Sequence, residues 1–393
     1  MIRILFIELN SIGNEDIYET ANAMTYYRDR VEIVKFPFDI NTDRNDKAFI
    51  SNLKEKLSED PVDFVMSFNY WPVISTACNE VGIKYAAWVY DNPAVNLFSH
   101  TLINPCNYVF LFDSQMYELF AGQGINTVYY LPMAAAVPRY DRITVTEDDR
   151  KKWGGNISFV GGMYTEGHNF YDRIEDKLSD YSKGYLQGLM DAQMQIYGFN
   201  FIERTIPEKV MEEMVDVLGL KPNVDGVESY EYLYGNYVIN RKITAIERCD
   251  IVKKIGKKFG INLFTRDESF GADGVSNRGR VDYYDEMPYV FKTSDINLNI
   301  TLRSIQSGIP LRAMDIMGCR GFLLTNYQED LLRFFEPGKD FVYYESQQDL
   351  MEKIDYYLEH EDERRQIAGN GYEKVKRDHT YALRLAEIID TVL

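Results

Sequence analysis

The sequence has few cysteines and histidines, and neither is spaced for chemistry. Its four cysteines, Cys78, Cys106, Cys249 and Cys319, are scattered, with no CxxC pair. Buried reduced thiols in a reducing compartment are therefore expected rather than a disulfide framework. The four histidines, His100, His168, His360 and His379, have no zinc spacing, and no DxD, HxxxH or HExxH occurs, so no metal site is expected. There is no GxGxxG, no GxxxxGK[ST] and no GxSxG, which removes the usual signatures of a dinucleotide site, a P-loop and a serine-hydrolase elbow. No apolar run approaches the ~20 residues that span a bilayer. No basic stretch with a small-residue cleavage site opens the chain, so a cytoplasmic protein without a transmembrane segment is expected. Positive charge is in deficit, 43 Lys and Arg against 61 Asp and Glu, for a formal net charge of −18. That argues against a nucleic-acid partner. It leaves room for a nucleotide, because a local group of arginines can hold a diphosphate on an acidic protein.

What is present is an alternation of strand and helix signals. Apolar runs stand at 2–9, 31–36, 63–68, 84–90, 107–112 and 127–133, with helical spacing between them, as at 46–57 and 114–120. Continuous apolar strands separated by helices imply a parallel sheet covered on both faces, with ligands at the C-terminal strand ends. Polar residues stand at those ends: Glu8 and Asn10, Asn69, Asp91 and Asn92, Asp113 and Ser114. Residues 138–152 are polar and charged and predict a linker. A second alternating unit starts at NISFVGGMY (156–164), with strand signals resuming at 261–265, 294–301, 321–325 and 340–345. Between them, about 170–258 has mainly helical patterns. The reading is α/β, with an N-terminal domain over 1–150, a C-terminal domain over 151–379 carrying a helical insertion, and a terminal helix over 380–393. The chain has 30 tyrosines; some suit a carbohydrate or nucleotide cleft, and most suit half-exposed core edges.

The stretch SGIPLRAMDIMGCRGFLLTN (307–326) lies between two predicted strands. A helix over about 309–319 would start at the C-terminal edge of the sheet, capped by Ser307 or Gly308, with Pro310 in its first turn. Such a start offers free amides and a positive dipole end to an anion. Gly308 permits close approach, Arg312 adds a forked cation, and Asp315 can accept hydrogen bonds from a diol such as a ribose. The alternative is an Arg–Asp pair on a solvated helix face. Gly161 and Gly162, between a strand and a helix, can turn backbone amides to a phosphate or sugar, or simply make a tight turn. Asp91, in WVYDNP, can bind or deprotonate an acceptor hydroxyl, or cap a turn. His168, six residues past Gly162, can reach a sugar hydroxyl or lie at the surface.

Together these residues resemble the nucleotide-sugar site of two-Rossmann (GT-B) glycosyltransferases, whose pattern reads about E-G-x-G-x-P-x-x-E-A-M-A-C-G-x-P-V-I. More narrowly the chain resembles the CgeB-like branch of the group 1 glycosyl transferases. FVGG (159–162) opens the second unit after a DNP-bearing first one, P-x-R-x-x-D-x-M-x-C-x-G-F-L-L-T spans 310–325, and IAGNGYEKVKRDHTYALR spans 367–384. The likeness covers most of the chain and is densest over about 290–384. Asp315 stands where the family has its second glutamate, Ser307 where it has the first, and Tyr90-Asp91 where many relatives have His-Asp. GGMYTEGHNF lacks the family's phosphate-gripping Arg and Lys, so Arg303, Arg312 or Arg266 would substitute.

The resemblance implies two Rossmann-like domains facing across a cleft, with the last helix crossing back to the N-terminal domain. It implies a hexosyltransferase-like enzyme moving a sugar from a nucleotide diphosphate-sugar to a hydroxyl of a polysaccharide, glycoprotein or small molecule, without a cofactor or metal. Donor-binding residues would be Gly161, Gly162, Arg303, Ser307, Gly308, Arg312 and Asp315. Acceptor-side residues would be Asn10, Asn69, Asp91 and His168. Arg312 would stabilise the leaving diphosphate, and Asp91 would be the base if the reaction inverts. Two other readings fit: a nucleotide-sugar epimerase, and a non-catalytic nucleotide- or sugar-binding protein.

Overall fold

The computed structural model describes residues 1–9, 11–165 and 169–393. The chain divides into two compact units. The first comprises Met1–Ala136, Asn223–Glu228 and Asp378–Leu393; the second comprises Val137–Pro222 and Ser229–Arg377.

The first unit is built on β1 (Ile2–Glu8), β2 (Thr25–Tyr26), β3 (Asp29–Pro37), β4 (Phe64–Phe68), β5 (Lys84–Val89), β6 (Asn107–Leu111) and β7 (Val128–Tyr130). They are ordered β2-β3-β1-β4-β5-β6-β7, and every pairing is parallel except β2 with β3. Strands β1, β4 and β5 are apolar nearly throughout because both faces are covered. The helices α1 (Asn14–Ala23), α2 (Lys47–Glu59), α3 (Pro72–Val81) and α4 (Ser114–Ala121) follow β1, β3, β4 and β6. Asp46 caps α2 through Phe49 N, and Asp113 caps α4 through the amides of Gln115 and Met116.

In the second unit β8 (Gly155–Val160), β9 (Ile261–Phe264), β10 (Val275–Asn277), β11 (Ser294–Asn299), β12 (Leu323–Asn326) and β13 (Val342–Tyr344) form one sheet ordered β10-β9-β8-β11-β12-β13, all parallel. Counted from β8 this is the Rossmann order 3-2-1-4-5-6, whose switch point lies between β8 and β11.

The linker expected over 138–152 is instead two helices, α5 (Val137–Asp141) and α6 (Glu147–Trp153), and the chain passes into the second unit at Val137 rather than at 151. A Thr146–Asp149 capping box starts α6, which buries none of its residues, so it carries no hydrophobic period to read. Helices α7 (Asp180–Met194), α8 (Ile202–Thr205), α9 (Glu208–Leu218), α10 (Tyr230–Leu233) and α11 (Asn240–Phe259) fill the insertion. Within it Asn223–Glu228 belongs to the first unit: Val227 N donates to Phe98 O at 2.8 Å and His100 N to Asp225 O at 3.1 Å. Then come α12 (Met287–Thr293), α13 (Leu311–Gly318), α14 (Glu329–Phe334), α15 (Gln347–Glu359) and α16 (Glu361–Asp378).

The terminal helix α17 (Tyr381–Val392) lies in the first unit against α1 and β5. It buries Tyr381, Leu385, Ile388, Ile389 and Val392. Arg384 Nε donates to Pro132 O at 2.9 Å, and Ala135 N to His379 O at 2.9 Å. The cysteines are unpaired; Cys78, Cys106 and Cys319 are buried, and Cys249 is only half-buried. Among the described residues no helix is long and apolar enough to cross a membrane.

Candidate functional site

In the second unit α13 starts about two residues later than its sequence suggests. Pro310 is the N-cap, with φ −67° and ψ 147°, and no side chain caps the helix. Ser307 and Gly308, expected as caps, are buried in the preceding loop and tie it to the start of α14. Asp330 N donates to Ser307 O at 3.0 Å, and Gln328 Nε2 donates to Gly308 O at 3.2 Å. The first turn of α13 is therefore an uncapped helix end at the C-terminal edge of the sheet.

Arg312 and Asp315 do meet, with Nη1 donating to Oδ2 at 3.2 Å. The pair is not on a solvated face. The Asp315 side chain is 1% exposed and that of Arg312 26%. Asp315 Oδ1 also accepts from the hydroxyls of Tyr140 at 2.7 Å and Tyr283 at 3.0 Å. Burial pushes the Asp315 carboxyl above the ordinary range, against the opposing pull of Arg312 and the two hydroxyls. A carboxylate with its acceptors engaged and no open face does not receive a ribose diol, so that expectation gives way to a structural one: Asp315 fixes α13 and orients Arg312. The Arg139 guanidinium, stacked 4.7–5.1 Å from the rings of Tyr140, Tyr283 and Tyr284, surrounds the same cluster. Arg312 Nη1 also contacts Met287 Sδ, and the guanidinium lies 5.6 Å from the Phe291 ring.

Arg303 does not serve as a free cation. Its Nε and Nη2 grip Glu247 at 2.8 and 2.7 Å, Nη1 donates to Ile196 O at 2.8 Å, and the group is buried. A two-point pair of this kind is self-neutralised and closed to a diphosphate. Arg266 is exposed just beyond β9.

Gly161 and Gly162 directly follow β8, but among the described residues no helix begins between them and Glu175, so the expected strand-to-helix turn is not found there. A Cβ on Gly161 would stand 3.1 Å from the Phe159 ring. Gly162 O accepts from Arg248 Nη1, while Arg248 Nη2 donates to Ile300 O, just past β11. Arg248, which the sequence reading passed over, thus bridges the two strand ends that flank the switch point.

In the first unit Asn69 and Asp91 come together at the ends of β4 and β5. Asn69, at φ 57°, donates from Nδ2 to Asp91 Oδ2 at 2.7 Å. Its Oδ1 accepts from the amides of Tyr90 at 2.9 Å and Asp91 at 3.1 Å. Although Asp91 lies open at its surface, the surrounding protein is dense enough to push its carboxyl above the ordinary range, with Asn69 pulling the other way. A carboxylate held on one oxygen with raised basicity is suited to take a proton. Asn10 and His168 lie outside the described residues. Among those described, no group of three or more His, Cys, Asp or Glu side chains converges to hold a metal.

Solved structures share this fold. A glycosyltransferase from Rickettsia africae is 12% identical, with a TM-score of 0.54 over 100% of this chain and 97% of its own. Anabaena HepE, solved in complex with UDP-glucose, is 11% identical, with a TM-score of 0.55 over 100% and 99%. The sucrose-phosphate synthase of Thermosynechococcus elongatus is 10% identical, with a TM-score of 0.51 over 100% and 99%. The fold is that of the GT-B glycosyltransferases. Residues 248–390 match the family model described as glycosyl transferase-like. No curated protein matches the sequence.

Proposed function

We propose that the chain transfers a sugar from a nucleoside diphosphate-sugar to an acceptor hydroxyl without a metal ion, as a member of the CgeB-like branch. The observation that carries this reading is α13. It lies inside the glycosyl transferase-like stretch, opens with an uncapped first turn, and presents a partly exposed Arg312 held in place by the buried Asp315. HepE, which shares the fold, binds UDP-glucose.

In this reading the first-turn amides of α13, the Gly161–Gly162 turn and Arg312 take the donor diphosphate. Catalysis comes chiefly from fixed positive charge and amide dipoles that stabilise the diphosphate as it leaves. Asn69 and Asp91 take the acceptor hydroxyl. If the reaction inverts, Asp91 removes the acceptor proton; a retaining reaction needs no such base. The acceptor is a polysaccharide, glycoprotein or small molecule. The test is incubation with a panel of nucleotide sugars in excess EDTA, following nucleoside diphosphate release with and without candidate acceptors. Acceptor-dependent release supports the reading. Release that requires added manganese or magnesium overturns its metal-free part, and interconversion of the donor sugar without transfer replaces it with an epimerase.

A further inference from the structure

Helix α11 carries Arg241 and Arg248 seven residues apart, two turns along one face. Both guanidinium groups lie over one ring, that of Tyr164, with Cζ atoms 4.7 and 4.9 Å from its centroid. In each arginine Nε is buried without a hydrogen-bond partner among the described residues. Arg248 is 7% exposed, and its hydrogen bonds go to two backbone carbonyls, those of Gly162 and Ile300. The neighbouring carboxylate, Glu247, is taken by both arms of Arg303 and by the hydroxyl of Tyr197. Arg248 is thus a buried cation with no hydrogen-bonded anion among the described residues, an arrangement folding disfavours unless an anion arrives. Burial pushes its pKa down, against the opposing pull of Tyr164, Glu247 and Tyr344.

The backbone points to the same place. Tyr164 has φ 58°, in the left-handed region that a bulky residue rarely enters. It ends the Gly161–Gly162–Met163–Tyr164 turn beyond β8, at the switch point where Rossmann sheets bind ligands. A left-handed aromatic with two guanidinium groups over its ring, neither ion-paired to a carboxylate among the described residues, points to a role beyond packing.

We propose that Arg241 and Arg248, over the Tyr164 ring beside the Gly161–Gly162 turn, bind the donor diphosphate together with Arg312, in the place first given to Arg303 and Arg266. The inference rests on the nucleotide-sugar reading. A guanidinium has five donors. Arg248 spends two of its donors on carbonyls, so the others remain for phosphate oxygens without breaking the bridge between the strand ends. Arg241 is only half-buried and meets the same anion from the solvent side.

Calorimetric titration with UDP, ADP, GDP and dTDP, with the matching nucleosides and with inorganic pyrophosphate, tests this on the full chain. Arg241→Gln removes no hydrogen bond to the described residues, and Arg248→Lys keeps the charge, so both should fold; melting curves check that. The expected result is a roughly ten- to hundred-fold loss of diphosphate affinity in Arg241→Gln, the size of a lost charge-assisted hydrogen bond. Nucleoside affinity should be unchanged. Arg248→Lys should bind more weakly than wild type and Arg248→Gln more weakly still. Wild-type diphosphate affinity in Arg241→Gln and Arg248→Lys overturns the inference and leaves the nucleotide-sugar reading standing. Pyrophosphate binding that depends on Arg241, with no nucleotide preferred over it, supports the anion site and removes the nucleotide reading. No binding of either anion overturns both.

Discussion

Replacing Asp315 tests whether α13 is held from inside. Asp315→Ala removes the acceptor for three donors at once. The hydroxyls of Tyr140 and Tyr283, on buried residues, are left without it, each at a cost of about 1–3 kcal/mol. Arg312 can turn to water and adds little, and relief from burying a charge offsets part of the loss, so a net destabilisation of about 2–4 kcal/mol is expected. Asp315→Asn keeps an oxygen for both hydroxyls but turns an amide donor toward Arg312, and should cost about 1–2 kcal/mol. The pH trend is a second reading of the same site. Burial raises the Asp315 pKa above its usual 3.8, so the folded chain holds that proton more tightly than the unfolded chain. That contribution is full below the unfolded value and is lost as pH rises through the folded one. Wild type should therefore exceed Asp315→Asn most in acid, by a margin that shrinks as pH rises. Urea unfolding followed by circular dichroism across pH 4–8 measures both. Asp315→Ala within about 0.5 kcal/mol of wild type, the range of an ordinary surface change, would refute the hub, and so would a margin that grows with pH.

Arg312→Ala should weaken nucleoside diphosphate binding by about 1.5–3 kcal/mol and nucleoside binding hardly at all; equal loss in both, by calorimetry, would mean that Arg312 only holds the fold. If the reaction inverts, Asp91→Asn should lower kcat by about 10²–10⁴, and the wild-type acid limb should lie above the usual carboxylate range, because protonated Asp91 cannot act as a base. A retaining enzyme would show neither effect. Deleting residues 380–393 removes five buried apolar side chains from the first unit, each worth roughly 1.5–3 kcal/mol. Hydrogen exchange should then show loss of protection over β1–β7 with the second sheet intact; loss in the second sheet instead would place the helix wrongly.

The sheets were legible because their central strands are buried on both faces and so appear as unbroken apolar runs. Strands β2 and β10, of two and three residues, are too short to show a period. The stretch 138–152 reads as linker because α6 fully buries none of its residues, while α5 is anchored by the isolated buried residues Val137 and Tyr140. At the site, the spacing of Arg312 and Asp315 is visible in sequence, but their depth is not. Tyr140, which sets that depth, lies 175 residues away. Arg303 looked available because its partner Glu247 is 56 residues upstream. Arg241 and Arg248 read as an ordinary charged helix face, and only the turn at Tyr164 brings them to one ring. Asn69 and Asp91 were legible as polar residues closing adjacent apolar strands, which parallel pairing of β4 with β5 places side by side.

The most direct measurement of the central claim is transfer itself. The protein, in excess EDTA, is given a nucleotide sugar labelled in the sugar, with a mixture of glycan, glycoprotein and small hydroxyl acceptors, and the label is followed by mass spectrometry. The account predicts that label leaves the nucleotide and appears glycosidically bound to an acceptor, with one nucleoside diphosphate released per sugar moved. Label that stays on the nucleotide, while wild type binds that nucleotide sugar at the same concentration, would contradict it.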